Sequence, residues 1–522
     1  MYGWVGTKAA AARAWIGKSR KAINRRANRF GLLPAVVSAL VAGVLVAYVA
    51  YQVVFRYTPT SDAKAAPIDI TKVALTIVAG VGGVVALVIA YRRQRDTEQS
   101  RFVERFGAAA AQLGATDVAV RIAGVYAMAG AADESDGLRR QQCIDVLCGY
   151  LRLPYTPDIG GNHQTKDIRK YPATDSSGPE SEEHFEYRQN DREVRKTIVR
   201  VVADHLRPEA EYSWSASNFD FRTAHLEDVD LTRITFSGTA WFDGATFSGP
   251  ARFDRATFGG FARFNGSTFS DGAYFDMAKF CDGAGFNLAT FGGVAGFDWA
   301  TFGGTAWFDE ATFSDIAWFD QATFNTARFN VATFNGEARF HRATVSGTAE
   351  FDRVTFGGVA WFDWATFGGD VRFSRSTFNN TAWFGEVTFS KASRFDRATF
   401  SDTARFDRST FSDIAQYDGV TFSGAAMFEK VTFSDAAMFE KVTFSDAARF
   451  NSATFSGSAT FAMVKFASST SFLAVDFGSN KIEFTTPQQW GPPPPEFDWN
   501  DDGTGKPGNI EPQSWPPIAA AS

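Results

Sequence analysis

From Phe236 to Phe477 an aromatic side chain returns with a fixed rhythm. Phe242, Phe247, Phe253, Phe258, Phe264 and Phe269 are separated by five and six residues in alternation. Ala usually stands two residues before each Phe, as Ala240, Ala245 and Ala251 do. The unit is therefore a doubled A-x-F-x-x with one added residue, eleven residues in all. Composition carries the same signal: Phe supplies 53 of the 522 residues, against 13 Tyr and 13 Trp. Interior breaks are few. The step from Phe324 to Phe329 is five where six is expected, and Val345 and Tyr417 stand in for Phe.

This period excludes a helix, because an apolar pair every five or six residues would spiral around all faces of a 3.6-residue turn. It also excludes a simple alternating strand, because three or four polar residues follow each pair. A solenoid satisfies it. Each A-x-F-x-x makes one short side of a coil, with Ala and Phe inward and the remaining residues outward. Stacking places Phe over Phe, and backbone groups pair with neighbouring coils at ~4.8 Å. No coil buries its inner face alone, so many copies are needed. Four sides per coil use two units, which gives roughly eleven coils and a rod of ~50 Å. Both rod ends are exposed sheet edges that need covers. The helix before Pro208, with the degenerate start at Phe219, Leu226 and Leu231, is expected at one end, and the irregular run from Phe477 to Phe484 at the other.

A-x-F-x-x resembles the pentapeptide-repeat pattern, A-(D/N)-L-x-x, in a Phe-rich form. The resemblance implies a mainly β fold, a right-handed quadrilateral β-helix. The chain departs from the pattern in its eleventh residue, and in Thr, Arg or Trp where Asp or Asn is usual. Those departures are expected to bulge two sides of each coil. The resemblance covers about half of the chain. The layout, with QLGATDVAVRIAGVYAM and VVADHLRPEA before the repeats, is also similar to a group of bacterial proteins from high-GC lineages.

Two uncharged apolar stretches precede all this, residues 32–55 and 73–91. Each has about the 20 residues that span a bilayer core. The expectation is a two-helix transmembrane hairpin in the lipid bilayer of the cytoplasmic (inner) membrane. The basic lead (residues 1–31), with Arg92, Arg93 and Arg95 after the second stretch, places both termini in the cytoplasm by the positive-inside rule. Small residues four apart (Ala35, Ala39, Gly43 and Ala47, then Ala79 and Gly83) suit close helix packing within the hairpin or self-association. Gly80, Gly82 and Gly83 make no dinucleotide loop, since no strand precedes them.

Residues 92–208 read as an α-helical segment with a polar loop. Phe102, Phe106 and Leu113 share one helix face. Asp117 caps the next helix, a third helix holds Ile144 and Leu147, and a last one holds Val194, Ile198 and Val201. The solenoid is expected over residues 209–484, and a disordered Pro-rich tail over residues 485–522. The three cysteines, Cys143, Cys148 and Cys281, form no disulfide framework. Cys143 and Cys148 lack the two further ligands a metal needs, and His163, His184 and His205 lack ligand spacing. No catalytic motif, cofactor site or metal site is expected, and the chain reads as non-enzymatic.

Function is then expected on the outer columns. Asp or Asn often follows the ladder Phe, as at Asp243, Asp254, Asn265, Asp276, Asn287, Asp298, Asp309 and Asp320. Some relatives within the resembled family mimic DNA and inhibit type II topoisomerases, which makes that the alternative reading. Arg255, Arg353, Arg375, Arg397 and Arg408 follow the same position, so the surface is mixed rather than phosphate-like. Local pairing and side-chain-to-backbone hydrogen bonds account for the acids more simply. Nucleic-acid binding is not expected. Thr precedes alternate ladder residues, and its strand preference accounts for that column. The choice of outward Trp and Arg is less easily explained. Trp307, Trp318, Arg339, Trp361, Arg372 and Trp383, with Trp241, Trp299, Trp364 and Arg328, are the candidate partner-binding residues, because Trp and Arg dominate protein contacts. The leading expectation is a membrane-tethered scaffold for a protein partner.

Overall fold

The computed structural model describes residues 67–157, 166–171 and 181–519, together with positions 41, 44, 45, 48, 49, 52, 53 and 56. The chain divides into two compact units, Met1–Glu104 and Arg105–Ser522.

The N-terminal region requires a correction. Among the described residues no helix is long and apolar enough to cross a membrane. The transmembrane hairpin and the multi-pass inner-membrane placement therefore do not stand. The apolar run from Val73 is not a bounded element. It opens helix α1, Pro67–Leu113, which continues through Arg92, Arg93, Arg95, Asp96, Glu98, Arg101 and Glu104, charges that a bilayer core excludes. Of residues 32–55 only positions 41, 44, 45, 48, 49, 52 and 53 are described, and Ala35, Ala39, Gly43 and Ala47 lie outside them.

Three shorter helices follow: α2 Val118–Asp133, α3 Gly137–Leu151 and α4 Asp191–Leu206. The Asp117 carboxylate accepts from the N–H groups of Ala119 and Val120 and so caps α2. Cys143 and Cys148 are buried in α3, and burial pushes both thiols up, to about 11 and about 12. The polar stretch between α3 and α4 contains a two-stranded hairpin, Lys166–Tyr171 against Ser181–Glu186. The helices meet at a charged centre. Asp191 accepts from Arg121 at 2.6 Å and from Arg195 at 2.9 Å, and the Tyr150 hydroxyl donates to it at 2.5 Å. Arg195 also donates to the carbonyls of Leu151 and Leu153. Buried guidinium groups are tolerable only when they are paired in this way.

The repeats form a β-solenoid of about 12 turns. Each coil has four sides of three residues. Sides of the form Ala-x-Phe alternate with sides of the form Ala-Thr-Phe, as in Ala251–Phe253 followed by Ala256–Phe258. Ala and Phe are buried on every such side, and the residue between them faces out. Two corners of each coil hold two residues and two hold three. The eleventh residue of the repeat therefore lies in the corner after Thr-Phe. Strands pair in parallel with the same strand of the next coil, Thr246 with Thr268 and Ala251 with Ala273, a step of 22 residues.

The interior is a set of ring stacks. Phe242, Phe264, Phe286, Phe308 and Phe329 lie one above another, with centroids 4.7, 4.9, 4.8 and 4.8 Å apart and rings within 3° of parallel. Rings from the opposite side enter edge-on. Phe253 lies 5.8 Å from Phe242 at 84° and 5.5 Å from Phe264 at 85°. Aromatic pairs prefer both geometries.

The deletion between Phe324 and Phe329 is absorbed without loss of register. Strand Thr301–Trp307 runs through its corner, and Gly303 and Gly304 bulge opposite the single residue Asn325. A Cβ at Gly304 would lie 1.6 Å from the Asp282 carbonyl oxygen, so only glycine fits. The same device appears between Leu226 and Leu231, where Glu227–Val229 is irregular against the next coil.

Both rod ends are covered. At the first coil the Gln141 side chain donates to the Asn218 carbonyl at 2.7 Å and accepts from the Asn218 N–H at 2.9 Å, which occupies the open edge. Trp214 is fully buried, stacks on His205 at 4.0 Å, and donates to Asp133. At the last coil the expected disordered tail is ordered through residue 519. Its aromatic residues continue the ladder. Phe497 stacks on Phe472 at 4.9 Å, and Trp515 stands edge-on to Phe484, Trp490 and Phe497. Ile510 extends the sheet by pairing with Ile482.

One ladder position carries an unneeded polar atom. Tyr417 is completely buried and its hydroxyl has no hydrogen-bond partner, yet its ring stacks on Phe395 at 4.9 Å as a Phe would. A buried unpaired hydroxyl costs about 1–2 kcal/mol. Tyr417→Phe is therefore expected to raise unfolding stability by about that amount in a denaturant titration, whereas a neutral or negative change would mean that the hydroxyl is satisfied.

Candidate partner-binding face

The two-residue corners hold the acidic columns. Each corner is closed by a hydrogen bond from the Ala N–H to the Phe carbonyl, as from Ala256 to Phe253 at 2.9 Å. Its second residue is left-handed, with φ of +56° at Arg255, +59° at Trp299, +62° at Val331 and +63° at Trp364. This is the geometry of a type II turn, which favours glycine. Glycine occupies the position only at Gly244, Gly266 and Gly419. Those F-D-G, F-N-G and Y-D-G triplets are the sequence signal for the turn, which ladder spacing alone does not carry.

The first corner residue links the coils. An Asp or Asn oxygen accepts the N–H of its counterpart one coil on: Asp243 from Asn265 (3.2 Å), Asp276 from Asp298 (3.0 Å) and Asp298 from Asp320 (2.9 Å). The side-chain-to-backbone account of the acids is what the structure shows. Asp254, Asp276, Asp298 and Asp320 thus form a stack of half-buried carboxylates. Burial raises the first three above the usual carboxylate value, Asp298 to about 6 with Asp320 adding to the effect.

Trp299 and Trp364 occupy two-residue corners; the other candidate residues fall on the two Ala-x-Phe sides, which are opposite sides of the coil. One side carries Trp241, Arg263, Gly285, Trp307, Arg328, Glu350, Arg372 and Arg394 in successive register. The other carries Trp318, Arg339, Trp361, Trp383 and Arg405 on five consecutive coils. The structure therefore separates Trp307 and Arg372 from Trp318, Arg339, Trp361 and Trp383. Arg372 is tied to Glu350 and Asp352 by ion pairs.

The second side is the more continuous. Trp361 and Trp383 stack at 5.1 Å and 6°, and the Arg405 guanidinium lies 4.7 Å over Trp383. The rings stack along the rod, so their edges face solvent. Arg339 is held by Asp320 at 2.6 Å. Trp364 stands at the adjoining corner with Arg342 5.9 Å over its ring. Gly385 replaces Asp in the acidic column there and leaves a cavity of about 290 Å³, lined by Trp364, Trp383, Arg405, Asp407 and Arg408. Among the described residues no group of three His, Cys, Asp or Glu is placed to hold a metal.

The carboxylate stack gives a pH test. A raised folded-state pKa means stability present below about pH 4 and lost as pH rises to about 6, since the unfolded chain releases the proton first. Asp298→Asn keeps the acceptor and removes the charge. It is expected to stabilise the rod above pH 6 by on the order of 1 kcal/mol, discounted for partial exposure, and to be neutral near pH 4. Equal effects at both pH values would refute the coupling.

A family model described as pentapeptide repeats (9 copies) matches residues 221–268, 231–278, 297–344, 340–388, 384–432 and 406–454. No curated protein and no solved structure matches the chain. Matched segments and coil architecture coincide: the solenoid is built of pentapeptide repeats.

Proposed function

We propose that the rod is a non-enzymatic scaffold that binds a protein partner along one outer side. The observation that carries this reading is the unbroken outward column Trp318, Arg339, Trp361, Trp383 and Arg405. Half-exposed Trp and Arg on a rigid sheet lose little side-chain freedom on binding, because stacking already fixes them. The indole edges and guanidinium groups supply donors, and the cavity beside Gly385 offers a recess. Trp307 and Arg372, on the opposite side, are secondary contacts in this reading.

The topoisomerase alternative requires carboxylates displayed as phosphates are. The acidic columns are instead half-buried and occupied by backbone N–H groups of the next coil. Nothing in that arrangement favours DNA mimicry.

Crosslinking the full chain in its native cells tests the proposal. A recurrent partner should be recovered with the parent chain. It should be lost with Trp361→Ala/Trp383→Ala, whose melting curve should remain a single cooperative transition. Recovery indifferent to those substitutions in a folded variant would exclude this side as the binding face.

A further inference from the structure

On the opposite side of the coil, Arg353, Arg375 and Arg397 occupy one two-residue corner on three successive coils. Their backbones stack in register: each N–H donates to the corner carbonyl of the next coil, to Ser374 at 3.0 Å, Asp396 at 2.8 Å and Asp418 at 2.9 Å. All three are exposed and all three are left-handed, with φ of +59°, +60° and +57°. Among the described residues none of their guanidinium groups has a hydrogen bond or an ion pair. Arg394, also exposed, flanks them and lies in register with Arg372. The ladder position between them is Ser374, so one carboxylate is missing from the ridge.

This arrangement costs stability twice. Left-handed backbone strains every residue with a Cβ, and like charges in register repel. The fold accepts the unstrained residue at the same corner column, since Gly244, Gly266 and Gly419 occupy it. Among the described residues no side-chain hydrogen bond or ion pair of the three offsets the cost; Arg397 acts on the Asp396 carboxylate only at longer range. The left-handed corner is common to the whole rod, so it is the unpaired charge held in register on three coils that points to a binding role.

We propose that the Arg353–Arg375–Arg397 ridge docks an acidic stripe of a partner helix, one carboxylate per helical turn against one arginine per coil. The repeats match. Coils here are spaced by 4.8 and 5.1 Å at the Phe351, Phe373 and Phe395 rings, and a helix advances about 5.4 Å per turn. An extended strand would present same-side carboxylates about 6.8 Å apart. The planar guanidinium fork suits carboxylates. The net charge of −6 repels a long polyanion at a distance, which favours a short acidic segment over nucleic acid. The inference rests on the partner-binding reading and adds a second, chemically defined surface to it.

The test uses the full chain and a synthetic helical peptide with Glu at alternating steps of three and four residues, about 5.3 Å of rise per acid, compared with its Gln counterpart. The Glu peptide should bind, the Gln peptide should not, and salt should weaken binding. Arg353→Gly/Arg375→Gly/Arg397→Gly should lose about tenfold or more in affinity, while its melting temperature does not fall, because glycine relieves the left-handed corners. Trp361→Ala/Trp383→Ala should bind the peptide as the parent does, which separates failure of this ridge from failure of the Trp face. Unchanged peptide binding in the Gly variant would overturn the proposal. So would tighter binding of a single-stranded oligonucleotide than of the Glu peptide.

Discussion

Everything in the repeat region depends on the contact between one coil and the next. A single coil has four short sides and no core of its own. Its Phe rings meet edge-on within the coil, but they acquire parallel stacking partners only from the coils above and below, within 3° of parallel along Phe242, Phe264, Phe286 and Phe308. Apart from the corner hydrogen bonds, its backbone acquires partners from the same two neighbours. Register is therefore fixed by side chain and backbone together, and a one-residue error is confined to a corner. The bulge at Gly303 and Gly304 shows how local that repair is. Cooperativity of this nearest-neighbour kind is the general property of solenoids.

The same stacking rule explains the surface. Any residue type placed at one position of the repeat becomes a column, so charge and aromaticity accumulate in lines. Asp and Asn work well in such a line because each oxygen receives the next N–H. Burial in that line raises their proton affinity, and the neighbouring carboxylates add to it. Trp361 and Trp383 work because each ring lies on the ring or guanidinium beyond it. Arg342 and Arg408 at left-handed corners are placed over Trp364 and beside Glu386; Arg353, Arg375 and Arg397 gain nothing comparable and so stand apart from the other columns.

The ends required different chemistry from the middle. Helix α3 closes the first edge with one amide side chain, Gln141, against both backbone groups of Asn218. The last edge is closed by a Pro-rich segment whose composition reads as disorder. Four aromatic anchors, Trp490, Phe497, Trp499 and Trp515, outweigh that composition once they have a Phe-lined coil to pack on. The apolar stretch from Val73 was misread in the opposite sense. Its length and lack of charge resembled a bounded span, but it opens a helix that continues into a charged half.

The sequence alone determined the coil. An aromatic every five or six residues, with Ala two before, leaves only a stacked polygon, because period 3.6 and period 2 both fail. It also determined which residues point outward, since the alternation within A-x-F is local. The tertiary structure decided how columns fall on sides. Trp307 and Trp318 are eleven residues apart and look equivalent, yet they occupy opposite sides, because one unit is half a coil. It also decided the left-handed corners and the order of the tail. Both depend on the next coil being present: the corner N–H groups of one coil bond to carbonyls of another, and the tail's rings pack only on a finished end.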